Sequence, residues 1–131
     1  MSEGGIPEGV KQFLARNINS IAELEVLLLL QRDSNLKRTA AEVARELSID
    51  EQWATAQLSE LAAKGLLTAE SGSDIRYSYS PKSSDLRISI DQLAKIYTTQ
   101  RVAIITFISS RSTNKIRILA DAFKLKGDTD G

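Results

Sequence analysis

The 131-residue sequence predicts a mainly α-helical α+β domain with one small β-hairpin, and three observations predict it. Ser20, Thr39 and Ser48 each stand three residues before a Glu (Glu23, Glu42, Glu51). At that spacing a hydroxyl can accept from a helix's third amide while the carboxylate reaches back to the cap. After Gly65 the apolar pattern changes from helical spacing to alternation and stops at Pro81. From Ser83 to Lys126 there is neither Gly nor Pro, so the remainder reads as helical.

Taken in order, residues 1–9 are Gly-rich and expected to fray, with a short helix following through Val10, Phe13, Leu14 and Ile18. Ser20 and Glu23 open a second helix carrying Leu24, Leu27, Leu28 and Leu30, which ends near Asp33-Ser34-Asn35. Thr39 with Glu42 opens Ala40 to Leu47. Ser48 with Glu51 opens a helix running to about Lys64, and Ile49 plugs the tight turn between the two. Gly65 then occupies the position where a left-handed residue ends a helix. Leu66 to Glu70 and Ile75 to Ser80 read as two antiparallel strands around the turn Ser71-Gly72-Ser73-Asp74, with Tyr77 and Tyr79 sharing one face as a packing stripe. Leu86, Ile90, Leu93, Tyr97, Gln100, Ile104 and Phe107 are spaced 4, 3, 4, 3, 4, 3, a seam for one long helix. A further helix is expected from about Ser112-Thr113-Asn114. The organisation is therefore a flexible start (1–9), a helix-turn-helix and hairpin unit with its leading helix (10–82), a helical region (83–126) and a short tail (127–131).

Composition excludes several functions. With neither Cys nor His, thiol catalysis, imidazole general-base chemistry and Cys/His zinc sites are removed together, and no Gly-rich phosphate loop is present. The chain is expected to be no enzyme and to use no cofactor or metal. Its longest apolar run, Val26 to Leu30, falls far short of the roughly 20 residues that cross a bilayer, and residues 1–9 do not form a signal peptide, so a cytoplasmic protein is expected. The overall charge of zero conceals an asymmetry: residues 1–70 carry seven basic against eleven acidic side chains, residues 71–131 ten against six. Affinity for polyanions should concentrate in the second half.

Helix, helix, tight turn, helix, Gly, hairpin and long helix is the order of a winged helix-turn-helix. The runs Thr39-Ala-Ala-Glu-Val-Ala-Arg-Glu-Leu-Ser-Ile-Asp and Leu58-Ser-Glu-Leu-Ala-Ala-Lys-Gly-Leu-Leu resemble the second helix and the end of the recognition helix of bacterial winged-helix regulators, loosely of the MarR type. The resemblance covers residues 20 to 82. It implies a homodimeric, sequence-specific duplex-DNA-binding regulator of transcription, with a recognition helix at about 50–64 and a wing at about 66–81. It also leaves room for a small-molecule effector in the cleft between the winged unit and the terminal helices.

In such a fold Ala44, Leu47, Ile49, Ala54, Leu58 and Leu61 are expected in the core. The outward residues Gln52, Thr55, Ala56, Gln57 and Ser59 carry groups that read base edges or reach phosphates. Trp53 either faces the groove or folds back on the first turn or a dimer partner. Lys37, Arg38, Thr39, Arg76 and Lys82, with Arg87 beyond, form a candidate ring of phosphate contacts. Leu93, Tyr97, Ile104 and Phe107 are the candidate dimer interface, an expectation strengthened by the apolar circumference of Val26 to Leu30. Against DNA binding stands the charge of residues 39–64, where Arg45 and Lys64 face Glu42, Glu46, Asp50, Glu51 and Glu60. That balance supports an alternative, an interaction module whose acidic helix-turn-helix face docks on a basic protein. The tail from Arg111 to Lys126 carries five basic residues against Asp121 and suits an acidic patch or solvent.

Overall fold

The computed structural model describes residues 5–110, so the expectations for residues 112 onward and for the basic tail lie outside the described residues. The elements are α1 (Glu8–Asn17), α2 (Ile21–Arg32), β1 (Arg38–Thr39), α3 (Ala40–Leu47), α4 (Glu51–Ala63), β2 (Leu67–Glu70), β3 (Arg76–Tyr79), α5 (Ser84–Tyr97) and α6 over residues 101–110. α1 begins inside the segment expected to fray, because the Pro7 carbonyl accepts from Lys11 N–H at 3.0 Å and closes the first turn.

α2 is the central helix. Leu24, Val26, Leu27, Leu29 and Leu30 are buried, and α3, α4, α5 and β3 all pack against it. Four of the five residues of Val26 to Leu30 are therefore buried within one chain and Leu28 is half-buried, which weakens this run as an argument for a dimer. Val10, Phe13, Leu14, Ile18, Val43, Ala44, Ala54, Leu58, Leu61, Leu66, Leu67, Ile90, Leu93, Ile104 and Ile108 also belong to the core, whereas Leu47 and Ile49, expected there, are only partly buried against it.

The sheet has three strands rather than two, in the order β1-β3-β2, all antiparallel. The added strand is only Arg38–Thr39, pairing Arg38 with Tyr77 and Thr39 with Arg76; two residues are too few to register as an alternating pattern. Tyr77 and Tyr79 are both buried, on the inward face of β3. Gly65 adopts φ +81°, the left-handed region that a side chain penalises, and its carbonyl accepts from Lys82 N–H at 2.8 Å across the base of the hairpin.

The caps follow the expected spacing in two cases and depart from it in one. Ser20 Oγ accepts from Glu23 N–H at 3.1 Å, while the Glu23 carboxylate turns to Asn19 N–H. Thr39 and Glu42 form the reciprocal box, at 3.2 and 2.9 Å. Ser48 does not cap α4. It closes α3 in a left-handed conformation (φ +56°), and Asp50 caps α4 by accepting from the Gln52 and Trp53 amides. A carboxylate two residues nearer the helix offers the stronger, charge-assisted acceptor.

The Thr39 amide holds the Glu42 carboxyl below the usual carboxylate range. A depressed folded-state pKa contributes stability at neutral pH that is lost as pH falls through the folded value. Glu42→Gln, which keeps an acceptor but does not titrate there, should therefore flatten the acid limb of the stability-against-pH curve, as measured by thermal melts between about pH 3 and 7.

The long seam is broken. α5 ends at Tyr97, Thr98 Oγ1 and Thr99 Oγ1 donate to the Lys95 and Ile96 carbonyls, and the chain restarts as α6 after Gln100. Two consecutive hydroxyls bonding back to the helix compete with its own amides. Leu93 and Ile104, expected at the interface, are fully buried within the single chain and have no surface to offer a partner; Tyr97 and Phe107 are partly exposed.

Candidate nucleic-acid interface

α4 buries Ala54, Leu58 and Leu61 along one stripe and turns the other side outward. Glu51, Gln52, Trp53, Thr55, Ala56, Ser59 and Glu60 are exposed and Gln57 is half-buried. The expected reading residues thus share one accessible face. Thr55 Oγ1 donates to the Glu51 carbonyl at 2.9 Å, which leaves its lone pairs free to accept. Trp53 is 51% exposed, so a large part of the indole is open at the start of the helix.

The wing stands beside this face. A cleft of about 200 Å³ between them is lined by Thr39, Ala40, Ala41, Glu51, Thr55, Asp74, Ile75 and Tyr77. Arg76 is exposed on β3, opposite Thr39 and Glu70. It lies near enough to Glu42 to help depress that carboxyl.

The proposed ring of phosphate contacts is redistributed. Arg38 is buried, 7% exposed, with Nε donating to Glu46 at 2.8 Å and Nη2 to Asp33 at 2.9 Å. Burial opposes its charge, but the hydrogen bonds to Glu46 and Asp33 and the charges of those two carboxylates together raise its pKa above the ordinary arginine value. It therefore joins the end of α2 to α3 and does not stand on a rim. The bonds also account for Glu46, whose charge is answered by Arg38 and does not face a ligand alone. Lys37 is exposed but bound to Glu70 on β2 at 2.8 Å, a tie between the β1 segment and the wing. Lys82 is exposed at the base of the hairpin, and Arg87 lies over the Tyr79 ring at 5.2 Å. Burial raises the pKa of Tyr79 well above its ordinary value, so its hydroxyl stays protonated and points at Asp91 at 3.4 Å.

Arg45 in the last turn of α3, counted in the sequence only toward the charge of residues 39–64, is an exposed cation beside this face. Its position three residues after Glu42, on the polar side of the helix, was the available signal. Asp50 is neutralised in part by the helix amides it caps, whereas Glu60 remains exposed without an ion pair among the described residues. Glu51 is exposed as well, so the face keeps an acidic balance, with hydrogen-bonding side chains at its centre and Arg45 and Arg76 near its edges, both close enough to Glu42 to act on its charge.

No protein-family model and no curated protein matches the chain. Solved structures do match. HlyU from Vibrio cholerae N16961 superposes with a TM-score of 0.54 at 18% identity, over 68% of this chain and 92% of that one. The C80S mutant of MarR from E. coli superposes at 0.52 and 16%, over 94% and 97%. The F27L mutant of MepR from S. aureus, solved bound to an oligodeoxyribonucleotide, superposes at 0.54 and 12%, over 91% and 86%. These likenesses show the fold, a winged helix-turn-helix of the MarR type.

Proposed function

We propose that this chain is a homodimeric, sequence-specific duplex-DNA-binding regulator of transcription, with α4 in the major groove and the β2–β3 wing on the sugar-phosphate backbone. The observation that carries the reading is the exposed face of α4. Gln52 and Gln57 offer the amide pair that matches an adenine edge, Thr55 and Ser59 reach bases or phosphates, and Ala56 and Trp53 suit thymine methyl groups and sugars. Arg76 on the wing and Arg45 on α3 supply the phosphate contacts, with Thr39 paired beside Arg76; Lys82 stands at the other end of the hairpin beside Asn17 and Lys64, and Lys37 and Arg38 have structural partners instead. The oligonucleotide bound to MepR, which shares the fold, supports the same reading.

A dimer suits two-fold operators. The surface for it keeps the partly open Tyr97 and Phe107 of the seam and adds the exposed apolar side chains Ile88 on α5, at 57%, and Val102 on α6, at 78%. Support for a small-molecule effector comes from a cavity of about 400 Å³ between α2 and the α5–α6 junction, lined by Leu28, Leu29, Ala94 and Tyr97 with Glu25 and Arg101. No helix among the described residues is long and apolar enough to cross a membrane.

One observation favours a second reading. Glu51 and Glu60 are the exposed charges of α4, which suits docking of the helix-turn-helix face on a basic protein surface. Selection of duplexes from a random library separates the two. The DNA reading predicts enrichment of a two-fold motif with half-sites about one helical turn apart; no enrichment above the input would leave the docking module.

A further inference from the structure

The most deeply buried charge in the described chain, Glu23 at 1% exposure, has no part in the reading face. It sits in the first turn of α2. One carboxylate oxygen accepts from the Asn19 amide at 2.7 Å and the other from Lys64 Nζ at 2.7 Å. Lys64 caps the C-terminus of α4, and the same ammonium donates to the carbonyl of Asn17, the last residue of α1. The end of the reading helix, the end of α1 and the start of α2 therefore meet at one ion pair. α1 packs in turn on α5, and α2 packs on α4.

A carboxylate this deeply buried is costly unless paired, so Lys64 must stay where Glu23 is. With two acceptors engaged and its side chain 20% exposed, Lys64 has little left to offer a phosphate. Building on the DNA-reading proposal, we infer that Glu23 and Lys64 are positioning residues for recognition: their pair sets the tilt of α4 against the α1–α2 junction, and through α1 against the terminal helices. Neither touches nucleic acid.

Three variants test this: Glu23→Gln, Lys64→Met, and the double variant, which leaves no unpaired buried charge and so stays folded if either single variant does not. On a duplex enriched by the wild-type chain, Glu23→Gln should weaken binding about tenfold or more even though it removes a negative charge. Lys64→Met should weaken it similarly with the slope of log K against log salt unchanged. A slope lower by about one would make Lys64 a phosphate contact, and stronger binding by Glu23→Gln would make the effect purely electrostatic. Either result overturns the inference.

Hydrogen exchange on the same proteins needs no DNA. Amides in residues 17–24 and 60–66 should exchange about tenfold or more faster in the variants, while those of α3 and the wing keep wild-type rates. Unchanged rates, or uniform acceleration, would overturn the positioning role. If the wild-type chain enriches no duplex, the DNA reading fails, and the exchange pattern still decides whether this pair holds α4 in place.

Discussion

Leu58→Ala should destabilise the protein by about 2 to 5 kcal/mol, the range for removing a buried leucine side chain from a core that relaxes only in part. Leu58 is fully buried at the middle of α4, where the helix packs on α2, α3 and β2. The loss is a large share of the roughly 5 to 15 kcal/mol that a domain of this kind has in total. A fall of about 10 °C or more in the melting temperature is expected, with DNA binding lost in proportion to the unfolded fraction. Ala56→Ser, two residues away on the exposed side, should melt within about 1 °C of the wild type, since surface substitutions away from special features change stability little. Equal effects at the two positions would mean that the inward and outward faces of α4 are wrongly assigned.

Arg76→Ala should weaken duplex binding about tenfold at low salt and lower the salt slope by about one, without a matching loss of stability. Arg76 is exposed on β3 and forms no ion pair among the described residues, so its removal leaves no buried partner behind. Arg38→Ala should behave in the opposite way. Its guanidinium is held by Asp33 and Glu46, and its loss should appear first in the melting curve. The contrast between two arginines on neighbouring strands separates a phosphate contact from a structural cation.

These two residues also mark how far the sequence could be read. Capping hydroxyls and apolar spacing act locally, so the start of α2, the Thr39–Glu42 box and the stripe of Ala54, Leu58 and Leu61 were legible. Partners that sit on a different element were not. Asp33 and Glu46 are only five and eight residues from Arg38, but no helical or strand spacing says that they converge on it across the turn between α2 and α3, nor that Glu70 on β2 will take the charge of Lys37. The seam through Leu93 and Ile104 has the spacing of an interface, but that spacing is equally satisfied by α1 and α2 of the same chain, and two threonine hydroxyls interrupt it. The outward set on α4 was legible because burying one stripe of a helix leaves the rest exposed; its neighbour Arg45 was passed over because its segment as a whole is acidic.

The most direct test of the account is to titrate duplex DNA into the protein while following the emission of Trp53, the only Trp in the chain, at about 50 mM and about 200 mM salt. Half-exposed at the start of α4, this indole reports on the face that is to enter the groove. Groove entry by α4 predicts a saturable change at low salt that weakens steeply at high salt. A folded protein whose emission is unmoved at both salts would contradict DNA reading by α4.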